Sequence, residues 1–237
     1  KDFSQYPKAP IIHENMEMSI LIFMSKKSEV SHVNIPFEYE LSKEDEDKFP
    51  VSLNRYLTMM IEWPSVDYIK VALKKLEALG CIENGKIKDL GERITKFNDL
   101  SVEYSHALVT SVKYGVIKEI SMLCGIMSVL KDKTELLFDK ELTSKQNKAM
   151  FERHKSSNEH ISLIRIFEEY EDQKEKMRPK WCKKNSLSSW TMERIKLAAD
   201  NFYEKIIELN ESLEIPNSMN KLEEKYSLED RIILCLV

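Results

Sequence analysis

The stretch from Lys174 to Arg194, KEKMRPKWCKKNSLSSWTMER, gathers the side chains of this chain best suited to holding a nucleic-acid strand. Its first twelve residues carry six basic side chains against one acidic one. Lys180, Lys183 and Lys184 can neutralise phosphates, and Arg194 adds a further cation. Asn185 and Ser188 can hydrogen-bond a sugar-phosphate backbone, while Trp181 and Trp190 offer faces on which bases stack. A competing account of the same residues has both tryptophans anchoring the core and the lysines merely solvating a loop. Spacing alone favours that second account.

Other chemistry has less support. His13, His32, His106, His154 and His160 form no i,i+4 pair and no H-E-x-x-H helix, so they read as ordinary surface or half-buried histidines and no metal site is assigned. Ser105-His106 lacks a nucleophile elbow, and the paired carboxylates Glu168-Glu169 and Glu223-Glu224 fall on polar faces, so no catalytic residue is assigned. Cys81, Cys124, Cys182 and Cys235 lie far apart without a C-x-x-C pair, which points to reduced intracellular thiols. A net charge of -4 excludes a global basic field, so any nucleic-acid contact must be local. No apolar run approaches the roughly 20 residues of a membrane span. The chain starts at Lys1 without a methionine and stops within the apolar run EDRIILCLV, as a fragment of something longer would.

Five glycines in 237 residues, with apolar residues at three- and four-residue steps, predict a mainly α protein. Residues 1–62 are the hardest to place: an apolar run Met16–Met24, then polar and acidic stretches that look like an insertion over about 25–55. Ser65 caps a predicted helix whose Val66, Ile69, Leu73, Leu76 and Leu79 share one face, and Gly80 stops it. Asn84-Gly85 then signals a hairpin between Cys81-Ile82-Glu83 and Lys86-Ile87-Lys88, after which Leu90, Ile94 and Phe97 return to the core. Helix, hairpin and helix over 63–99 make a winged-helix-like unit with a small β wing. Residues 100–237 predict a helical bundle. Its centre is VIKEISMLCGIMSVL (116–130), apolar nearly all round, followed by a helix over about Glu159–Glu171 that turns Leu163, Ile164, Phe167 and Tyr170 inward. A long helix from Ser188 or Ser189 aligns Met192, Ile195, Ala199, Phe202, Ile206 and Leu209, and Ser227 to Asp230 form a capping box for a last helix.

In that order the motifs resemble the C-terminal region of DEAH-box RNA helicases, a winged helix followed by a ratchet-like helicase-associated domain. The family's A-L-x-x-L-x-x-L-G-A-L helix, wing and L-T-x-L-G correspond to VALKKLEALGCIENGKIKDLGERITKF, and its E-I…I…M-L-S-V element to YGVIKEISMLCGIMSVL. Its D-H-L-T-L-L-x-x-Y and W-C…N-x-L motifs correspond to NEHISLIRIFEEY and KWCKKNSLSSWTMERI. The resemblance covers about residues 64–205. Departures are Lys88 for a threonine, Asn98-Asp99 for a proline-leucine, Glu14 for an arginine, Ala199 for the arginine of the long ratchet helix, and Trp190 for a basic residue near its start.

The resemblance implies the accessory region of a 3'-to-5' RNA-translocating ATPase. ATP and Mg2+ are then held by two RecA-like domains upstream, with an OB fold downstream and no cofactor in this fragment. Partners are single-stranded RNA and a glycine-rich (G-patch) protein on the winged helix, in nuclear or nucleolar pre-mRNA splicing or ribosome biogenesis. The RNA-binding residues would be Lys180, Lys183, Lys184, Asn185, Ser188, Trp190 and Arg194. A helical protein-interaction module that keeps the fold without RNA binding is the alternative. A winged-helix transcription factor is disfavoured, because SVDYIKVALKKLEAL has no arginine or asparagine to read base edges.

Overall fold

A chain with five glycines has few places to break a helix, and the computed structural model is mainly helical with one two-stranded sheet. It describes residues 16–25, 66–131, 133–138, 152–156, 158–210 and 225–236. Two compact units result, Lys1–Val102 and Glu103–Val237.

In the first unit, the apolar run set apart by the sequence becomes helix α1 (Glu17–Ser25), with Ile20, Leu21 and Met24 buried. It packs on α2 (Val66–Ala78) and on the hairpin that follows, so this part of 1–62 belongs to the same core. Glu17 is buried with it, and its carboxylate lies 3.0 Å from Nζ of Lys75 on α2. Ile69, Leu73 and Leu76 are buried as their spacing predicts, while Leu79 is half-buried. The expected cap at Ser65 and the insertion beyond Ser25 lie outside the described residues.

Gly80, at φ +70°, ends α2 in a Schellman motif: its N–H donates to the Glu77 carbonyl (2.9 Å) and that of Cys81 to the Leu76 carbonyl (2.9 Å). Strands β1 (Ile82–Glu83) and β2 (Lys86–Ile87) pair antiparallel, Ile82 with Ile87 and Glu83 with Lys86. Positive φ at both Asn84 and Gly85 is the type I′ geometry that their sequence signals. The ladder is one residue shorter on each strand than expected. Helix α3 (Asp89–Ile94) and the 3-10 turn Thr95–Phe97 bring Ile94 and Phe97 into the core and leave Leu90 half-buried. Gly91 is obligatory there, since a Cβ would sit 2.4 Å from the Cys81 carbonyl oxygen, which already accepts from the Lys88 N–H.

In the second unit, α4 (Val102–Tyr114) closes in another Schellman turn at Gly115. Helix α5 (Ile117–Leu130) is buried from Ile120 to Ile126 on every side, which its unbroken apolar sequence predicts. It meets α6 (Glu159–Glu171), capped by the Asn158 side chain on the His160 N–H, and the 22-residue α8 (Ser189–Asn210); the short α7 (Arg178–Lys184) lies between these two in sequence. On α8, Met192, Ile195, Ala199, Phe202 and Ile206 are buried, with Leu209 half-buried. The last helix, α9 (Leu228–Leu236), opens on a reciprocal capping box. Ser227 Oγ accepts from the Asp230 N–H (3.2 Å), and Asp230 Oδ2 accepts from the Ser227 N–H (3.2 Å) and hydroxyl (2.7 Å). Arg231 reaches back to the Tyr114 carbonyl (3.0 Å) at the C-terminal end of α4, where a cation suits the helix dipole.

The tightest joint in the unit is between α5 and α8. A Cβ on Gly125 would lie 2.7 Å from the Ala199 nitrogen and 2.8 Å from both Ala199 Cβ and the Ile195 carbonyl oxygen. Backbone therefore meets backbone there. Gly125→Ala is expected to destabilise the chain by about 1–3 kcal/mol through overpacking. Adding Ala199→Gly should restore only part of it, because the two backbone contacts remain; urea unfolding of the single and double variants checks this.

His154 departs from the expected surface or half-buried histidine: it is buried beside α6, its Nε2 3.6 Å from a Glu169 carboxylate that Arg153 holds through two bonds of 2.9 Å. Burial lowers its pKa below the ordinary 6.5, with Glu169 opposing and Arg153 and Arg165 reinforcing the shift. The unfolded chain therefore binds that proton more readily. The contribution to stability is fully present above pH 6.5 and is lost as pH falls through it toward the lower folded value. Melting temperature should drop between about pH 7 and 5, and the drop should be shallower in His154→Asn.

Candidate nucleic-acid interface

The corner joining α7 to α8 carries most of the residues that the sequence singles out. A 3-10 turn, Glu175–Met177, leads into α7, whose φ is fixed early by Pro179. The helix is stopped after seven residues by Asn185: its side-chain amide and its N–H both donate to the Trp181 carbonyl, at 2.9 and 3.0 Å. Ser186 then adopts a left-handed conformation, φ 64°, and Leu187 turns inward and donates to the Cys182 carbonyl (2.9 Å). Leu187 also bridges to Phe138, and the Ser188 N–H donates to the Leu137 carbonyl (2.9 Å). The 3-10 turn Thr134–Leu137 thus clamps the corner, a role the sequence did not signal. Ser188 Oγ accepts from the Thr191 N–H (3.2 Å) and so caps α8.

Asn185 and Ser188 therefore shape the turn, with the Asn185 amide nitrogen held by the Trp181 carbonyl and the Ser188 hydroxyl held by Thr191. Lys180, Lys183 and Lys184 stand exposed on α7 and form no ion pair among the described residues. Trp190 and Arg194, one helical turn apart, come together: the guanidinium lies 4.6 Å from the indole ring centre, a cation–π arrangement. Trp190 is 68% exposed, which overturns the account in which both tryptophans anchor the core. Trp181 is half-buried and does pack inward, its ring centre 6.2 Å from that of Tyr170.

Tyr170 organises the inner side of this corner. Its ring is buried, Arg178 stacks over it at 5.0 Å, and its hydroxyl donates to Glu193 of α8 (2.8 Å). Burial first, and the Glu193 hydrogen bond second, push the phenol pKa up, so it stays a neutral donor. Cys182 is buried beside them and its thiol is pushed up to about 11 by burial, which leaves it unreactive as a nucleophile near neutrality. Arg178, Glu193 and the 64%-exposed Leu197 are site residues that spacing did not reveal. Leu197 could have been noticed as an apolar residue off the inward stripe of α8.

The position set beside the ratchet arginine of the resembled family, Ala199, faces inward against Gly125 and adds nothing to the exposed face that carries Trp190 and Arg194. At the start of α8, where the family has a basic residue, the positive charge over Trp190 comes from Arg194. His160 is half-buried with Nε2 3.1 Å from the Tyr104 hydroxyl, His106 is half-buried, and His13 and His32 lie outside the described residues. Among the described residues there is no cluster that could hold a metal ion, and no helix is long and apolar enough to cross a membrane. No protein-family model matches this chain, and no curated protein is significantly similar to it.

The two tryptophans are separable by experiment. Trp190→Ala should change unfolding free energy by no more than about 0.5 kcal/mol, as exposed substitutions do. Trp181→Ala, which removes a ring packed on Tyr170, should cost about 2 kcal/mol or more; chemical denaturation of each variant makes the comparison.

Proposed function

We propose that this chain is the C-terminal accessory region of a DEAH-box ATP-dependent RNA helicase, with the α7–α8 corner facing single-stranded RNA. The observation that carries it is the solvent-facing Trp190 with Arg194 stacked on it, next in sequence to the exposed lysines of α7. An indole face with a cation beside it stacks on any base, and lysines on a neighbouring helix neutralise phosphates without reading sequence. That is the chemistry of a channel through which RNA must slide. Helix α2, the short hairpin and α3 would serve as the winged helix, and α4 to α9 as the ratchet-like bundle.

In this reading ATP hydrolysis belongs to RecA-like domains upstream, which hold ATP and Mg2+, and the present residues grip the strand between strokes. A downstream OB fold and a G-patch activator complete the assembly, acting on ribonucleoproteins in splicing or ribosome biogenesis within the nucleus or nucleolus. A second reading, a protein-interaction module without RNA contact, is favoured by one observation: Leu197 lies two turns beyond Trp190 on α8 and is also exposed.

Fluorescence anisotropy with labelled single-stranded RNA across a salt series separates the two. Replacing Lys180, Lys183 and Lys184 with alanine should flatten the slope of log affinity against log salt by about 2, since each phosphate that a lysine neutralises contributes about 0.7 to that slope. Trp190→Ala should weaken binding by about 1–3 kcal/mol at every salt concentration. Wild-type chain that fails to bind RNA at low salt favours the interaction module.

A further inference from the structure

The turn that ends α7 holds one side-chain acceptor in a set direction. The Asn185 amide nitrogen donates to the Trp181 carbonyl at 2.9 Å. Because the amide group is planar, that bond also fixes Oδ1, the oxygen on its other arm, which only accepts. Asn185 is half-buried, and its Oδ1 has no hydrogen-bond partner among the described residues. Neighbouring polar groups of the turn are already used. The Ser186 N–H donates to the Lys183 carbonyl (3.4 Å), the Leu187 N–H to the Cys182 carbonyl (2.9 Å), and the Ser188 hydroxyl meets both the N–H and the hydroxyl of Thr191 (3.2 and 3.0 Å). Oδ1 is therefore a fixed acceptor with its lone pairs free.

The surrounding charge decides which donor comes to it. From Met177 to Ser188 the chain carries Arg178, Lys180, Lys183 and Lys184 and no carboxylate. Arg178 is stacked on the Tyr170 ring, while the three lysines are exposed, and two of them immediately precede Asn185. Phosphates drawn to those lysines accept hydrogen bonds, so they have nothing to give Oδ1, and the carbonyl end of α7 repels an anion. The sugar between two phosphates is different. A ribose carries a 2′-hydroxyl, which donates, whereas a deoxyribose within a strand has no donor. Base amino groups also donate, but they lie on base edges rather than beside the phosphates.

We infer that Asn185 Oδ1 accepts a hydrogen bond from a ribose 2′-hydroxyl, so that the α7–α8 corner selects RNA over DNA of the same sequence. This selectivity rests on the RNA-binding reading of the corner and adds to it the group that tells one sugar from the other. The lysines and the Trp190 ring do not, because phosphates and base faces are common to both strands. A single hydrogen bond makes the difference modest, about two- to tenfold in affinity.

Fluorescence anisotropy of the full chain at low salt, with labelled oligoadenylates of one length built on ribose, 2′-deoxyribose or 2′-fluororibose, tests it. The 2′-fluoro sugar keeps the pucker of ribose without the donor, so it separates the hydrogen bond from the shape of the strand. The ribose strand should bind about threefold or more tightly than either of the others. Asn185→Ala keeps the backbone N–H on the Trp181 carbonyl. It should bring the ribose strand down to the level of the other two. Lys180→Ala, which removes a cation and leaves the turn alone, should weaken all three strands alike and preserve their ratio. Equal binding of the ribose and deoxyribose strands, binding of the 2′-fluoro strand as tight as that of the ribose strand, or a ribose preference undiminished in Asn185→Ala would each overturn this selectivity while leaving the corner an RNA-binding surface. Failure of the chain to bind any of the three would overturn the reading of the corner itself.

Discussion

The backbone-to-backbone approach of α5 and α8 at Gly125 and Ala199 is the constraint on which the second unit is built. Two helices can come this close only where both lack a side chain beyond Cβ, and here Gly125 has none at all. Once α8 is pinned at that depth, its Met192, Ile195, Phe202 and Ile206 are drawn in on the same stripe. The opposite side of the helix is forced outward. Trp190, Arg194 and Leu197 are exposed because the residues that alternate with them are held against α5. The same stripe explains why Ala199 adds nothing to the exposed face of Trp190 and why Arg194 supplies charge at this end of the helix.

Precision at the α7–α8 corner comes from polar atoms that a sequence reading would assign to a ligand. Asn185 stops one helix and Ser188 starts the next, while the Leu136 to Phe138 strip pins the connection from outside. With the turn fixed in this way, the exposed lysines need no ion pairs of their own to be held at a defined place. Tyr170 ties the inner side of the corner to α8 through Glu193, and Arg178 and Trp181 gather around its ring. The corner is therefore rigid beneath and charged above, which suits a surface that must hold a moving strand without reading it.

Charge is divided between distinct surfaces of the second unit. Basic groups collect unpaired on α7 and at the start of α8, while around the cleft between α5, α6 and α8 that Ser121 lines, the carboxylates Glu171 and Asp200 are met by Lys118 and Lys196. A net charge of -4 conceals that division.

By itself the sequence determined α2, α5, α6, α8 and α9, the hairpin and several of their stops, but not that residues 17–25 and 178–184 are helical. The three- and four-residue spacing of Ile69, Leu73 and Leu76, the positive-φ residues Gly80, Asn84 and Gly85, and the capping pair Ser227 and Asp230 act within a few residues of chain, so they are legible without a fold. The all-round apolar α5 announced its own burial. What only the tertiary structure decided is which polar and aromatic groups face a ligand. Trp181 and Trp190 have the same chemistry and similar local surroundings, yet one packs on Tyr170 and the other stands in solvent. His154 is buried by a helix that follows it in the chain, and Ser121 is orphaned by the cleft that three helices enclose. Each of those outcomes depends on groups far away in sequence. The local energies that shape a helix are silent about them.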